Sequence, residues 1–415
     1  MKRHLQLIFL LTLGLAGCQK PPEIRLHVRN PLDQFRKDAI VLLTRSSIDQ
    51  WMDLEDGVLP MLYGPTGDPV PCQWDDVNGD GAWDELFALT DLEALGQKTL
   101  TLKLVASDQV PAFQWRTNLR LGANRPGYPE LLKADRLEGI TYHNHSRTGE
   151  VYQMEGPAWE NDKVGFRNYL DQRNGMDIFG KLTAQMVLDS VGIAGRQSYH
   201  EPDSWGMDIL KVNTSLGAGA IGYLYNDSIY RVGDNGSGTY EVVFEGPLRS
   251  RFNLIYDPWE IAGMRIKVVH QVEIVAGRLC YQSQVTRSGS GEDLDLVTGI
   301  VNILSDSLVV LDLDAQHTGV MTQDLQAEDT TLLAMALVVS KMELLSYGEA
   351  PSSGDGITET YYVVLDAPEN QPVPYRFYAL WERQDPRWAH PEEVEDFLKQ
   401  EAERWTQSVT IEVEP

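Results

Sequence analysis

Short runs of β-branched, aromatic and other apolar residues, separated by glycine, proline and asparagine, dominate the sequence from residue 23 onward. They include Glu23–Val28, Ala39–Leu43, Thr99–Val105, Tyr240–Phe244, Arg265–Val275, Leu296–Ile303, Leu308–Leu313, Leu332–Val339 and Thr360–Leu365. A period of two puts alternate side chains on opposite faces of a strand, and Gly-Pro, Asp-Gly and Asn-Gly pairs close the turns. Several runs hold few interior charges, which predicts sheets packed against one another. Helical periodicity is rare. It is clearest over Pro391–Ser408, where Pro391 suits the first helical position and Glu392 and Glu393 suit the positive end of the dipole. Val394, Phe397, Leu398 and Trp405 supply its apolar face. A last strand is expected at Thr410–Val413. The fold class is therefore all-β, a large β-sandwich with a C-terminal helix.

The Gly/Pro-rich stretch Gly122–Pro129 lacks any periodicity and reads as a seam. It divides a small N-terminal β unit, residues 18–120, from a body at residues 121–415, and the smaller part is within the usual size range of a domain. No internal repeat is visible.

The first residues have a different character. Lys2 and Arg3 precede an apolar stretch from Leu5 to Leu15, too short for an ordinary spanning helix, and small residues lead to Cys18. Leu15-Ala16-Gly17-Cys18 resembles the bacterial lipobox. Residues 1–17 are then a lipoprotein signal peptide and Cys18 is the lipidated residue. Gln19 after the cysteine points to the outer membrane. Cys72 and Cys280 remain; they could pair in an oxidising compartment or stay buried and reduced.

Charge narrows the function. The chain has 35 Lys+Arg against 61 Asp+Glu, a net of −26, which argues against a nucleic-acid partner. The acidity is uneven: residues 136–290 carry 15 Lys+Arg against 18 Asp+Glu. The middle of the chain is where an anionic ligand is tolerated.

Five carboxylates crowd one loop, Asp75, Asp76, Asp80, Asp84 and Glu85. Its pattern D-x-N-x-D-G-x-x-D suits a hard cation, with Asp76, Asn78, Asp80, the Ala82 carbonyl and Asp84 as ligands of a structural Ca²⁺. The EF-hand glutamate is replaced by Phe87 and no helix pattern flanks the loop, so the pattern is not a complete EF-hand. A metal-free Asp/Asn/Gly turn is the other reading.

Gly217-Ala-Gly219-Ala-Ile-Gly222 satisfies G-x-G-x-x-G, but strand-like residues follow it where a helix should start. No nucleotide cofactor is expected, and the glycines are read as letting sheets approach closely.

Three segments of the balanced middle are dense in functional side chains. The first runs from Glu155 through Trp159, Glu160 and Asp162 to Arg167 and Tyr169. The second runs from Tyr199 and His200 through Trp205 and Asp208 to Lys211. The third joins Arg249 and Arg251 to His270. Indole and phenol rings beside carboxylates and amides are how sugar sites are built. A hydrogen-bonded loop network at a sheet edge is the alternative.

The segments EGPAWENDKVGFRNYLDQRNGMDIFGK, SYHEPDSWGMDILKVNTSLGAGAIG and DVNGDGAWDELF resemble a family of exported bacterial proteins known as a domain of unknown function. Its members occur among polysaccharide-utilisation genes. The resemblance implies a galactose mutarotase-like β-sandwich, also seen in polysaccharide lyases, and dehydratase or lyase chemistry on uronate-containing oligosaccharides. Elimination needs a neutralised carboxylate, a base for the C5 proton and an acid for the departing 4-hydroxyl. Arg167 or Arg251 would hold the carboxylate. His200 would be the base, Tyr199 or Lys211 the acid, and Glu160 and Asp208 their orienting partners. Trp159 and Trp205 would stack on the sugar, with Arg251, His270 and Lys181 completing the binding set. The same inventory would serve a sugar epimerase, a hydrolase using Glu160 and Asp208 as a carboxylate pair, or a non-catalytic glycan-binding surface lipoprotein.

Overall fold

The computed structural model describes residues 23–124, 131–142, 145–193, 197–233, 236–289 and 294–414. The signal segment, Cys18, His143, the side chain of His145 and most of the Gly/Pro-rich seam lie outside the described residues.

The architecture is all-β, as the alternating runs predict. A nine-stranded antiparallel sheet is the backbone of the body. Its order is Arg136–Ile140, Gly236–Glu245, Arg249–Ile261, Met264–Val275, Cys280–Gly289, Val373–Trp381, Leu333–Ser340, His317–Asp324 and Val309–Asp312. Two five-stranded sheets face it. One holds Thr117–Arg120, Ala158–Asn161, Val164–Asn168, Met176–Lys181 and Gly206–Asp208; the other is built around Ala218–Tyr225, Asp295–Val301 and Thr360–Leu365. Side chains of all three sheets meet in one core, including Trp159, Phe166, Tyr223, Phe252, Val268, Tyr281, Val363 and Phe377. This is the sandwich layering in which inward residues alternate with outward ones.

The glycine motif works at this interface. Gly219 has φ +90°, and a Cβ there would lie 2.4 Å from the Tyr281 hydroxyl and 2.9 Å from Phe377. The following residues form a strand paired with Ser228–Arg231, not a helix.

The N-terminal residues form two small sheets with their own core, containing Leu26, Val28, Val41, Leu62, Leu86 and Leu102. The last strand, Thr410–Val413, returns to this unit and pairs with Glu23–Arg29. Residues 117–120 belong to a body sheet. The C-terminal helix spans Pro391–Thr406, close to its expected bounds, and buries Val394, Leu398 and Ala402 against the outer face of the nine-stranded sheet. Cys72 and Cys280 are free thiols buried in different cores. Among the described residues no helix is long and apolar enough to cross a membrane.

Candidate functional site

Register decides which side chains meet. In the sheet that carries the first two functional segments, Arg167 lies opposite Asp177, and Asp208 lies opposite Phe179. With a period of two, Arg167, Asp177, Phe179, Asp208, Glu160 and Lys181 share one face. Trp159, Phe166, Ile178 and Met207 point the other way, into the sandwich core. The polar face is roofed by the segment after Lys181, whose Leu188, Val191, Tyr199 and Trp205 pack with Phe179 and Ala158.

Beneath that roof the Arg167 guanidinium binds two carboxylates. Its Nη2 donates to Asp177 and to Asp208, each at 2.7 Å, and its Nε donates to Asp177 at 3.0 Å. Nη1 donates to the Tyr199 hydroxyl at 3.0 Å, and Nη2 also reaches the Tyr169 hydroxyl at 2.7 Å. Arg167, Asp177 and Asp208 are at most 2% exposed. Burial disfavours two ionised carboxylates side by side, and the Asp177 carboxyl is raised by burial first and by Asp208 second. Tyr169 donates its hydroxyl proton to Asp177.

His200 sits at the edge of this buried cluster. Its side chain is 59% exposed, and Nδ1 lies 3.2 Å from Asp208 Oδ2. The ring packs on Tyr199 with centroids 4.3 Å apart. Hydrogen bonding to Asp208 raises the imidazole above its ordinary value against the opposing effect of burial. With Nδ1 turned to Asp208, Nε2 is the nitrogen left to act. A carboxylate that fixes the tautomer and balances the imidazolium is the arrangement an acid–base histidine requires. Tyr199 is raised by burial, so its hydroxyl stays protonated.

The sequence matches the family described as domain of unknown function (DUF4861) over residues 28–411. The chain belongs to the DUF4861 family. No curated protein matches it. The fold comparison finds an alpha-mannosidase from Enterococcus faecalis at 8% identity and TM-score 0.43, covering 95% of this chain and 46% of that one. A protein in the glycosyl hydrolase family 38 from the same organism gives 7% identity, TM-score 0.42, and coverage of 95% and 48%. The DUF4861 chain thus spans about half the length of these two structures. A protein assigned as an aldose 1-epimerase from Klebsiella pneumoniae gives 9% identity and TM-score 0.32, covering 69% of this chain and 95% of that one.

Several expected site residues of the DUF4861 chain lie elsewhere. Trp159 is fully buried among Phe166, Phe252 and Tyr281, so it is a core residue and stacks on no sugar. His270 is 1% exposed, bonded to Ser283 at 2.8 Å, and pushed down by burial to about 3; it binds no substrate. Glu160 pairs with Lys181 in full burial and accepts the backbone N–H groups of Val187 and Leu188 at 2.7 and 2.8 Å. That pair ties down the roof and leaves neither residue for substrate, nor Glu160 for a carboxylate pair with Asp208. Arg167 does converge with His200, but at 1% exposure it holds protein carboxylates and not a substrate carboxylate. Arg251 projects from the outer face of the nine-stranded sheet onto Glu273, with the sandwich core between it and His200. Lys211 is exposed and lines a separate small recess with Leu304 and Gln326. Trp205 remains, half-buried against Phe179 beside Tyr199.

Asp177 is the part of the cluster that the sequence segments leave out, and Tyr169 is named in the first of them without a role. A signal for Asp177 exists in the sequence. Gly-Met-Asp-Ile occurs twice, at Gly175–Ile178 and Gly206–Ile209, and both aspartates grip the same Arg167 nitrogen.

The acidic loop closes on itself. Asp76 accepts from the N–H groups of Gly79 and Gly81 at 2.7 Å, Asp80 accepts from Ala82 at 2.8 Å, and Asp84 accepts from Val77 at 2.8 Å. Asn78 donates its amide to Asp84 at 2.9 Å. Among the described residues no three His, Cys, Asp or Glu side chains are gathered to hold a metal ion; the set expected for Ca²⁺ also draws on Asn78 and the Ala82 carbonyl.

Proposed function

We propose that this protein is a carbohydrate-active enzyme that moves protons through His200, acting on uronate-containing oligosaccharides by dehydratase or lyase elimination. The observation that supports it is the 3.2 Å approach of His200 Nδ1 to the buried Asp208 carboxylate, in a side chain that is itself 59% exposed. Nε2 takes the proton from C5, and the C–H electron pair becomes the C4–C5 double bond as the C4–O bond breaks. Burial keeps the Tyr199 hydroxyl protonated, and the hydrogen bond it accepts from Arg167 makes that proton easier to give to the departing oxygen. Asp208 balances the imidazolium, and Arg167 holds Asp208 and Tyr199 in place. Trp205 offers its ring at the rim for a sugar face.

An epimerase would use the same His200. The two are separated by incubating the purified chain with uronate oligosaccharides. Ultraviolet absorbance of a conjugated double bond identifies elimination; a changed epimer or anomer without absorbance identifies epimerase chemistry. Binding without turnover would leave a glycan-binding protein. The Leu15–Cys18 motif supports our further reading of an outer-membrane lipoprotein anchored through Cys18, tested by metabolic labelling with a fatty acid in the native chain and in Cys18→Ala.

A further inference from the structure

The face of the nine-stranded sheet turned away from the core meets the N-terminal unit and the C-terminal helix, and a cavity of about 370 Å³ lies where they meet. Its walls bring together four arginines: Arg36 from the N-terminal unit, Arg278 from the turn between two strands of the large sheet, Arg376 from a strand of that sheet, and Arg404 from the helix. The assembly is unexpected in a chain with 61 acidic residues against 35 basic ones.

Three of these guanidinium groups, those of Arg36, Arg278 and Arg376, are held by neutral acceptors. Arg36 donates to the carbonyls of Gln407 and Arg404 at 2.8 and 3.0 Å, and Arg278 donates to the carbonyl of Asp38 at 3.0 Å. Arg376 donates to the Gln282 amide oxygen at 3.2 Å and lies over the Trp405 ring. Neutral acceptors orient a guanidinium without cancelling it. The carboxylates on the wall are Glu401 and Glu273. Glu401 serves Arg404 at 2.8 Å and approaches Arg278 at 3.8 Å, while Glu273 is drawn to Arg251, outside the cavity, at 2.5 Å. Burial, followed by the neighbouring Arg278 and Arg404, depresses the Arg36 guanidinium to about 10. Arg404 Nε is buried without a hydrogen-bond partner among the described residues.

An excess of positive charge in a recess focuses potential on anions, and guanidinium forks match the oxygens of carboxylate, sulfate and phosphate. Trp405 already stacks on His317 and carries Arg376 over its ring, and the charged groups are what the cavity offers a ligand. We propose that this cavity is a second ligand site, which binds an oxyanionic group: the carboxylate of a sugar acid, or a sulfate or phosphate. It is formed by residues remote from His200 and stands independently of the catalytic reading.

The test is calorimetric titration of the full chain with sodium sulfate, sodium phosphate and digalacturonate. At least one is expected to bind, with affinity lowered by roughly tenfold or more in Arg36→Gln and in Arg376→Gln. Digalacturonate binding that Arg36→Gln and Arg376→Gln weaken, without either inorganic anion, assigns a sugar acid, whereas digalacturonate binding that neither variant weakens belongs to the His200 site and overturns this proposal; sulfate or phosphate binding assigns the inorganic group or its ester. Phenylglyoxal modification of the wild-type chain, read by mass spectrometry, gives a measurement that needs no variant: the bound anion should protect Arg36 and Arg376. Absence of binding by all three anions, equal affinity in the arginine variants, or absence of protection would overturn the proposal.

Discussion

Asp208 lies between two cations of different kinds: a buried arginine, Arg167, at 2.7 Å and a half-exposed histidine, His200, at 3.2 Å. The first is permanently charged, and the second is a titratable imidazole that Asp208 raises above its ordinary value. The buried cluster therefore transmits a fixed field to a group that exchanges protons with the outside.

Removing Arg167 should be costly. Arg167→Met leaves Asp177 and Asp208 buried without their shared cation, and breaking such a pair from one side typically costs about 3–5 kcal/mol. Urea denaturation would show this as a lower midpoint. An unchanged midpoint would mean the cluster is open to water.

Glu160 and Lys181 separate a structural role from a catalytic one. Glu160→Gln is expected to destabilise the chain and to speed amide exchange at Val187 and Leu188, whose N–H groups it accepts. Loss of turnover with unchanged exchange and stability would return Glu160 to the chemistry.

His270 makes stability depend on pH with a definite sign. Its unfolded imidazole takes up a proton near 6.5, whereas burial holds the folded one at about 3. The contribution is complete above 6.5 and is lost progressively as pH falls from 6.5 toward 3. The unfolding free energy of His270→Gln should fall less steeply over that window than that of the wild type. Parallel curves would contradict the buried, neutral state.

The loop Asp76–Asp84 closes through its own hydrogen bonds, so chelation with EGTA should leave Tm within ~1 °C. A drop of several degrees, reversed by Ca²⁺, would show that an ion reorganises the loop.

The sequence made the strand-rich architecture and the C-terminal helix readable because each rests on local periodicity. It also placed the site's segments, since His200, Tyr199 and Asp208 lie close together in the chain. It did not show which neighbours face the site. The strands Ala158–Asn161, Val164–Asn168 and Met176–Lys181 are buried on both faces, so alternation that would separate Trp159 from Glu160 is erased. A one-residue difference sends Trp159 into the core and Glu160 under the roof. Asp177 carries a signal in the repeated Gly-Met-Asp-Ile, but its pairing with Arg167 exists only through strand register. Arg251 and His270 illustrate the converse: both lie near the site in composition, yet one points outward from the large sheet and the other into the core.

The central claim is that His200, oriented by Asp208, moves the proton. The most direct test is the pH–rate profile on a uronate oligosaccharide for the wild type, His200→Ala and Asp208→Asn. The account predicts a rate that rises with deprotonation of an imidazole titrating above its ordinary value. It predicts a loss of roughly 100- to 10,000-fold in His200→Ala, and a titration shifted to lower pH in Asp208→Asn. Turnover by His200→Ala at the wild-type rate and with the wild-type profile would contradict it.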